Sequence, residues 1–156
     1  MDNKISKHIS YKEATFSQTA TRKSIDNTPS ADVVERMKAV AENVFEPLRA
    51  HVGGPIKINS FYRSIALNIA IGGAKSSQHT RGEAIDIDDT FGHMSNKEMF
   101  AFIKDELDFD QLIWEFGDDE NPAWVHVSYA SPKNNRRRIL KAERKNGKTT
   151  YNVMNV

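Results

Sequence analysis

Two histidines and one aspartate are spaced so that they could hold a metal ion. His79 begins the segment HTRGEAID, in which a loop imidazole is followed through a glycine turn by Asp86 on a short strand. His126 lies in WVHVS, where the two-residue period of a strand puts it on one face with Trp124 and leaves two valines on the other. Two imidazoles and one carboxylate are the ligand set of catalytic zinc sites, which leave a fourth position for water. The spacing therefore predicts one zinc ion per chain.

A hydrolytic zinc site also needs a general base, and Glu115 in the segment LIWEF is the best candidate. If residues 111–116 pair antiparallel with residues 123–129, Glu115 lies on the strand next to His126. The competing interpretation is a cross-strand salt bridge or a charge at a sheet edge. A turn holds a side chain less firmly than a strand does. The alternative bases lie in the turn between the two strands and are Asp118, Asp119 and Glu120.

The rest of the composition narrows the choice of ligands. The chain has no cysteine, which excludes thiolate zinc sites, iron–sulfur clusters and cysteine nucleophiles, so any metal must be held by nitrogen and oxygen. The other three histidines lie in polar or helix-end contexts, where a histidine is usually structural. They are His8, His51 and His93.

Apolar periodicity predicts the helices that position these residues. Apolar side chains at three- and four-residue steps predict a helix over residues 30–48, with Ser30 as its N-cap. A brief helix is expected over residues 64–70. Ser95, with Glu98 three residues on, is typical of a capping box that opens another helix.

Strands are predicted around the candidate ligands and at the end of the chain. Alternating or apolar runs predict strands at residues 55–63 and 83–89, and a hairpin of residues 111–116 with 123–129. The dipeptide Asn146-Gly147, between two alternating runs, predicts a second hairpin with a type I′ turn. The expected fold is therefore α+β, with a small antiparallel sheet and flanking helices.

Length and composition indicate one globular domain over residues 1–156. The 38% hydrophobic and 28% charged composition lies away from the disordered and membrane extremes. Residues 1–29 are polar and are expected to form an extended N-terminal arm. The opening residues contain no apolar signal-peptide segment, and no uncharged run approaches the roughly 18 residues of a membrane helix. We therefore expect a monomer that is made in the cytoplasm.

Charge is distributed unevenly along the chain. Residues 83–120 hold 13 acidic side chains and two lysines, whereas Lys133 to Lys148 holds eight basic side chains and one glutamate. Residues 133–156 therefore form a basic C-terminal hairpin, which could meet a polyanion. The alternative is a solvated face of a small domain. Without interleaved aromatic residues or a known nucleic-acid module, a nucleic-acid partner is the weaker interpretation.

Four separated segments match the motifs of a known family and occur in the same order as in that family. They are SFYRS at 60–64, GGAKSSQH at 72–79, GEAID at 82–86 and WVHVS at 124–128. Over about residues 5–132 the sequence resembles the zinc D-Ala-D-Ala carboxypeptidases and phage L-alanyl-D-glutamate endopeptidases, whose fold is similar to that of hedgehog-type zinc domains. The resemblance places the family's zinc ligands on His79, Asp86 and His126, the same residues that the spacing selects.

The resemblance also suggests residues that contact the substrate. Arg63 matches an arginine near the metal, where a guanidinium polarises the scissile carbonyl or holds a substrate carboxylate, the alternative being an ordinary ion pair. Ser77 and Gln78 precede the first ligand and either orient it or cap the loop. Trp124 shares the face of the last ligand and is expected to line a peptide groove, whereas Tyr129 is more typical of packing.

One position departs from the family pattern. Many relatives place the catalytic acid three residues before the final histidine, where this chain has Ala123. In the similar hedgehog-type fold a glutamate ends the preceding strand. This similarity favours Glu115 as the replacement.

Together these features predict a zinc-dependent peptidase that hydrolyses stem or cross-link peptides of bacterial peptidoglycan. The resemblance favours a phage or prophage endolysin that acts on the cell wall after release. The alternatives are a catalytically silent, metal-containing module that binds the cell wall and a structural component of a virion.

Overall fold

The structure, a computed structural model, describes residues 3–155. Residues 1, 2 and 156, at the ends of the expected arm and hairpin, lie outside the described residues. The helices are α1 (Tyr11–Thr15), α2 (Gln18–Lys23), α3 (Ala31–Val40), a π-helical segment (Ala41–Phe45), α4 (Glu46–Val52), α5 (Ile65–Ala70), a 3-10 turn (Gln78–Arg81) and α6 (Asn96–Glu106). The strands are β1 (Lys4–Ser6), β2 (Ile9–Ser10), β3 (Lys57–Ser60), β4 (Ala84–Asp88), β5 (Gln111–Glu115), β6 (Trp124–Ser128), β7 (Arg138–Lys145) and β8 (Lys148–Val153).

The main sheet has six strands in the order β3-β4-β6-β5-β7-β8. The predicted antiparallel pairing of β5 with β6 is confirmed, but β5 and β7 run parallel, so the expectation of a small antiparallel sheet is wrong. The reason is the path of the chain after β6. It crosses the start of β5, where the amide of Arg138 donates to the carbonyl of Asp110, and β7 then runs in the same direction as β5.

The N-terminal segment differs from the extended arm expected for residues 1–29. Strands β1 and β2 form a separate two-stranded sheet, and α1 and α2 follow, capped by the hydroxyls of Ser10 and Ser17. Ile5 and Ile9 are buried in the core. These elements have two to six residues each, which is too short for apolar periodicity to reveal them.

The predicted helix over residues 30–48 is confirmed as a continuous run of α3, the π-helical segment and α4, and Ser30 is its N-cap. One stripe of this run is buried against the rest of the core, because its apolar side chains recur on one face. The stripe consists of Val33, Met37, Val40, Val44 and Leu48. Gly53 ends the run in the left-handed region, with a φ of 77°.

The two faces of the main sheet have different roles. Side chains such as Ile85, Leu112 and Val125 belong to the same core cluster as the helices. Burial of each side chain of this kind stabilises the fold by about 1.5–3 kcal/mol. Successive residues of a strand point to opposite faces, so Asp86 and His126 lie on the face away from this cluster. The helices therefore support one face and leave the other open.

The two predicted turn and cap motifs are present. Ser95 accepts a hydrogen bond from the amide of Glu98 (3.1 Å) and opens α6. Asn146 and Gly147 have φ values of 51° and 76° and join β7 to β8, which confirms the predicted hairpin. Within residues 3–155, none of the helices has the length and apolar character needed to cross a membrane.

Candidate metal centre and active site

A cleft of about 760 Å³ opens on the face of the sheet that the helices leave free. Side chains of β4 to β8 line it on one side, and the loop before the 3-10 turn lines it on another. His79, Asp86 and His126 all face this cleft, and so do Arg63 and Glu115. The structure therefore brings together, from five separated segments of the chain, the residues that the sequence singled out for metal binding and proton transfer.

Asp86 lies between the two candidate histidine ligands. It is directly opposite His126 in the antiparallel pairing of β4 with β6, and its Oδ1 is 2.9 Å from His126 Nδ1. Its Oδ2 is 3.2 Å from Nε2 of His79, which comes from the 3-10 turn. Candidate ligand atoms of all three residues lie within 4.8 Å of one another. This spacing is compact enough for a single divalent ion.

The imidazole of His79 is prepared for metal binding. Its Nδ1 lies 2.7 Å from the carbonyl oxygen of Phe61, and because a carbonyl only accepts, Nδ1 carries the proton. Its Nε2 is therefore an unprotonated, buried acceptor that faces the Asp86 carboxylate, itself an acceptor, and it has no hydrogen-bond donor among the residues described. A buried polar atom without a partner is costly, and a metal ion would satisfy the lone pair of this one. The donor set therefore fits zinc.

The electrostatics of the three residues favour the protonation states that bind metal. Burial lowers the pKa of His79, which keeps the imidazole neutral at physiological pH. Burial alone would raise the pKa of Asp86, but the hydrogen bond from Nδ1 of His126 outweighs it and holds that pKa below its usual range. The result is one carboxylate facing a neutral buried imidazole, as a metal ligand set requires.

Glu115 lies next to this group on the neighbouring strand. It is opposite Trp124, so His126 is its diagonal neighbour. Such neighbours lie roughly 7–8 Å apart, within reach of a long side chain. Glu115 is 7% exposed. Burial raises its pKa to about 7, with the negative charge of Asp86 adding to the rise and the charges of His126 and Arg63 opposing it. A carboxyl group with this pKa can both accept and donate a proton near neutral pH.

Arg63 is held in the cleft by three contacts. Its Nε donates to Ser60 (3.2 Å), its Nη1 donates to Asn68 (3.1 Å), and its Nη2 lies 3.7 Å from Asp86 Oδ2. Burial lowers its pKa, but an arginine stays charged at physiological pH. The alternative of an ordinary surface ion pair does not describe this partly buried guanidinium, which has three contacts. It presents a fixed positive charge beside the candidate metal ligands.

The other expected substrate residues have distinct positions. The Ser77 hydroxyl accepts from the amide of His79 (3.2 Å) and so caps the 3-10 turn. Gln78 lines the cleft but donates its amide to Asp110 (2.9 Å). Trp124 lines the cleft beside the last candidate ligand. Tyr129 is buried in the core, as its packing interpretation predicts.

The alternative bases and the remaining histidines do not face the cleft. Asp118, Asp119 and Glu120 are exposed in the turn between β5 and β6, where Asp119 pairs with Lys141. The three histidines interpreted as structural make other contacts: His8 pairs with Glu46, His51 stacks on Phe102, and His93 packs against Gly54.

Sequence reasoning missed Asp110, which ties the loop of His79 to the C-terminal segment. Its buried carboxylate accepts from Gln78 and from Nε (2.9 Å) and Nη2 (2.8 Å) of Arg136. These hydrogen bonds from Arg136 hold the pKa of Asp110 below its usual range. The sequence shows an acidic block over residues 83–120 and a basic block over residues 133–148, but this pattern does not predict which residues pair. Tyr151 of β8 also lines the cleft and was not anticipated.

Comparison with known proteins agrees with the geometry. A family model described as peptidase M15 matches residues 7–128, well over half of the 156 residues. No curated protein matches the chain. The family match includes all three candidate ligands, Arg63 and Glu115, and it ends before β7. The chain thus belongs to the peptidase M15 family of zinc metallopeptidases.

Proposed function

We propose that this M15 peptidase hydrolyses peptide bonds in the stem or cross-link peptides of bacterial peptidoglycan. His79, Asp86 and His126 would hold one zinc ion, and Glu115 would be the general base. The observation that carries the proposal is the convergence of these four residues in one cleft, with a buried and unpartnered nitrogen on His79. Family membership supports the substrate class.

The residues of the cleft divide the work of hydrolysis. When bound, zinc supplies Lewis-acid polarisation of the scissile carbonyl and of a water molecule. The Glu115 carboxylate accepts a proton from the attacking water as the carbon–oxygen bond forms, and passes it to the amine nitrogen as the carbon–nitrogen bond breaks. Arg63 places a positive charge where the carbonyl oxygen becomes negative. Ser77 and Gln78 shape the loop beside the peptide, and Trp124 lies along it.

The assignment of Glu115 as the base has support from the neighbouring strand. Relatives with an acid three residues before the final histidine have it where this chain has Ala123. The amide of Ala123 donates to the carbonyl of Glu115 (2.9 Å), so the two positions are adjacent in the β5–β6 pairing. Glu115 lines the cleft and Ala123 does not, so Glu115 is the carboxylate that this strand pair offers to the candidate metal ligands.

The finer biological role rests on the resemblance of the four motifs. We propose a monomeric, single-domain endolysin of a phage or prophage, with the C-terminal hairpin as part of the domain and the cell wall as its place of action after release from the cytoplasm. A nucleic-acid partner has little support, because part of the basic block is engaged within the chain. Arg136 pairs with Asp110, and Arg137 donates to the carbonyl oxygens of Lys104 and Leu107.

The test is digestion of purified peptidoglycan by the zinc-loaded protein, with the released fragments identified by mass spectrometry. Release of D-alanine would identify a carboxypeptidase, whereas cut stems or cross-links would identify an endopeptidase. If the protein binds zinc and the cell wall but releases no fragment, the function is that of the silent cell-wall module. If it binds zinc but neither binds nor cuts the wall, the structural virion component is favoured.

A further inference from the structure

The C-terminal hairpin lies outside the family match, yet it forms part of the cleft. Strand β7 pairs in parallel with β5, so that Arg138 is opposite Gln111 and Leu140 is opposite Ile113. Arg138 and Leu140 line the cleft, together with Tyr151 on β8. The hairpin therefore adds a wall to a site whose candidate ligands and base all come from the family-matched part of the chain.

Four arginines line the cleft, and three of them have an acidic partner. Arg63 lies 3.7 Å from Asp86, Arg81 lies 2.7 Å from Glu83, and Arg136 lies 2.8 Å from Asp110. The fourth arginine is Arg138.

Within residues 3–155, the guanidinium of Arg138 has no ion-pair or hydrogen-bond partner, and its side chain is exposed. Asp110 is an acidic neighbour of Arg138, because its carbonyl accepts from the Arg138 amide. The Asp110 carboxylate is already occupied by Arg136 and Gln78. A cation that lines a cleft and lacks a counter-ion is suited to an anionic group on a ligand.

The sheet register gives the distance of this cation from the metal centre. His126 is opposite Ile113, which is opposite Leu140, and Arg138 is two residues before Leu140. Two strand spacings of about 4.8 Å and two residue rises of about 3.3 Å put the Cα atoms of His126 and Arg138 about 12 Å apart. An extended peptide spans this distance in three to four residues.

The surface between these two points suits a peptide. Ile113, Leu140 and Ala142 form a small apolar cluster on the cleft face of the sheet. An apolar floor with a charged group at its end is the usual form of a site that fixes both the position and the direction of a ligand.

We propose that the β7–β8 hairpin is a specificity wall, and that Arg138 binds a free carboxylate of the substrate peptide a few residues from the scissile bond. This inference rests on the proposed function, because it assumes a peptidoglycan peptide in the cleft. In a stem peptide the α-carboxyl group of D-glutamate is such a group, because it is anionic when free and neutral when amidated, whereas the C-terminal carboxylate is the same in both forms. The enzyme therefore selects stems with free D-glutamate over amidated stems.

The experiment compares two synthetic stem peptides that differ only at D-glutamate, which carries a free carboxylate in one peptide and an amide in the other. The variants are Arg138→Gln and the matched control Arg144→Gln, which removes the same charge from the same strand outside the cleft lining. Turnover gives KM and kcat for each peptide with each zinc-loaded protein. Binding is measured independently by calorimetry, in a Glu115→Gln background that prevents turnover.

The expected result is a KM about 10-fold lower for the free acid than for the amide, which corresponds to about 1.4 kcal/mol. Arg138→Gln removes this preference with little change in kcat, whereas Arg144→Gln keeps it. The inference is overturned if Arg138→Gln retains the preference, if both arginine variants weaken binding equally, or if neither peptide binds.

The two proposals fail in distinguishable ways. If the wild type binds the peptide with free D-glutamate in an Arg138-dependent manner but cuts neither peptide, the inferred role of the hairpin is supported and the proposed function fails. If it cuts both peptides equally well with and without Arg138, the function stands and the wall is overturned.

Discussion

Asp86 and His126 face each other across the pairing of β4 with β6, with Oδ1 of the aspartate 2.9 Å from Nδ1 of the histidine. This relationship is set by strand register, and the third candidate ligand, His79, arrives from a separate turn. The separation of Asp86 and His126 therefore does not depend on the conformation of that turn. The turn and its connection to β4 are therefore the part of the site that is most open to disruption.

Zinc should stabilise the protein through these three residues. A ligand at 100 times its dissociation constant stabilises a folded protein by about 2.7 kcal/mol, which would raise the Tm by roughly 5–10 °C. We expect this zinc-dependent rise in wild type and its loss in His126→Ala and Asp86→Asn. The measurement is thermal unfolding with zinc and with a chelator. His8→Ala, at the ion pair with Glu46, is the control and should keep the rise. A full rise in His126→Ala would contradict the assignment.

Gly82 should be sensitive to substitution because of its surroundings as well as its φ of 74°. A Cβ there would lie 2.8 Å from side-chain carbons of Met37 and Val33, whereas one at Gly92, with a φ of 76°, would meet nothing within 4 Å. Gly92→Ala should cost about 1 kcal/mol of stability from backbone strain. Gly82→Ala should cost about 2–4 kcal/mol, because overpacking adds to the strain.

The two glycine variants are compared by urea unfolding, and their zinc affinities are measured in parallel. Gly82→Ala should also weaken zinc binding, because Gly82 joins the turn of His79 to β4. Equal losses of stability in the two variants would show that the contacts at Gly82 relax without cost.

Much of the site could be predicted because it depends on local patterns. The two-residue period of β6 puts His126 on the face opposite its valines, and an antiparallel pairing with β5 places Glu115 beside it. The caps at Ser30 and Ser95 follow from hydroxyl side chains before helical periods.

The remaining features depend on contacts that no local pattern specifies. The parallel pairing of β5 with β7 arises because residues 129–137 cross the start of β5, and Asp110 secures that crossing by binding Arg136. The sequence alone does not predict that Asp110 of the acidic block pairs with Arg136 of the basic block. The parallel pairing in turn places Arg138 and, through β8, Tyr151 in the cleft.

Stability of the crossing should depend on the charge of Asp110. Its pKa is lowered, first by hydrogen bonds from Arg136, so the folded state favours the ionised form and its contribution is present above the unfolded pKa of about 4. Arg136 is half-exposed, which limits the contribution to about 1–2 kcal/mol. Asp110→Asn should lower the free energy of unfolding by this amount at pH 7, and by progressively less as the pH falls through the folded pKa.

Urea unfolding at several pH values measures this difference. Asp105→Asn, which removes an exposed carboxylate near the end of α6, is the matched control and should change stability little. A pH-independent loss in Asp110→Asn would mean that shape, and not charge, holds the crossing.

Glu115 should reduce the stability of the metal-free protein as the pH rises. Its folded pKa of about 7 is above the unfolded value of 4.5, so its contribution is complete below pH 4.5 and is lost as the pH rises toward 7. Glu115→Gln avoids this loss. In the presence of a chelator, the free energy of unfolding of the variant should rise by about 3 kcal/mol relative to that of wild type as the pH increases from 4.5 to 8.

This comparison uses chemical unfolding with and without the Glu115→Gln substitution. Glu42→Gln, which removes an exposed carboxylate, controls for the loss of one negative charge. A constant difference between wild type and Glu115→Gln across this pH range would contradict the raised pKa.

The role of Glu115 as the base is tested most directly by one measurement on Glu115→Gln, in which bound zinc and turnover of purified peptidoglycan are determined on the same sample. We expect wild type to carry about one zinc per chain and to release fragments, whereas the variant keeps its zinc and its turnover rate falls by at least about 100-fold. Loss of zinc from the variant would place Glu115 among the ligands, and undiminished turnover with zinc retained would contradict its role as the base.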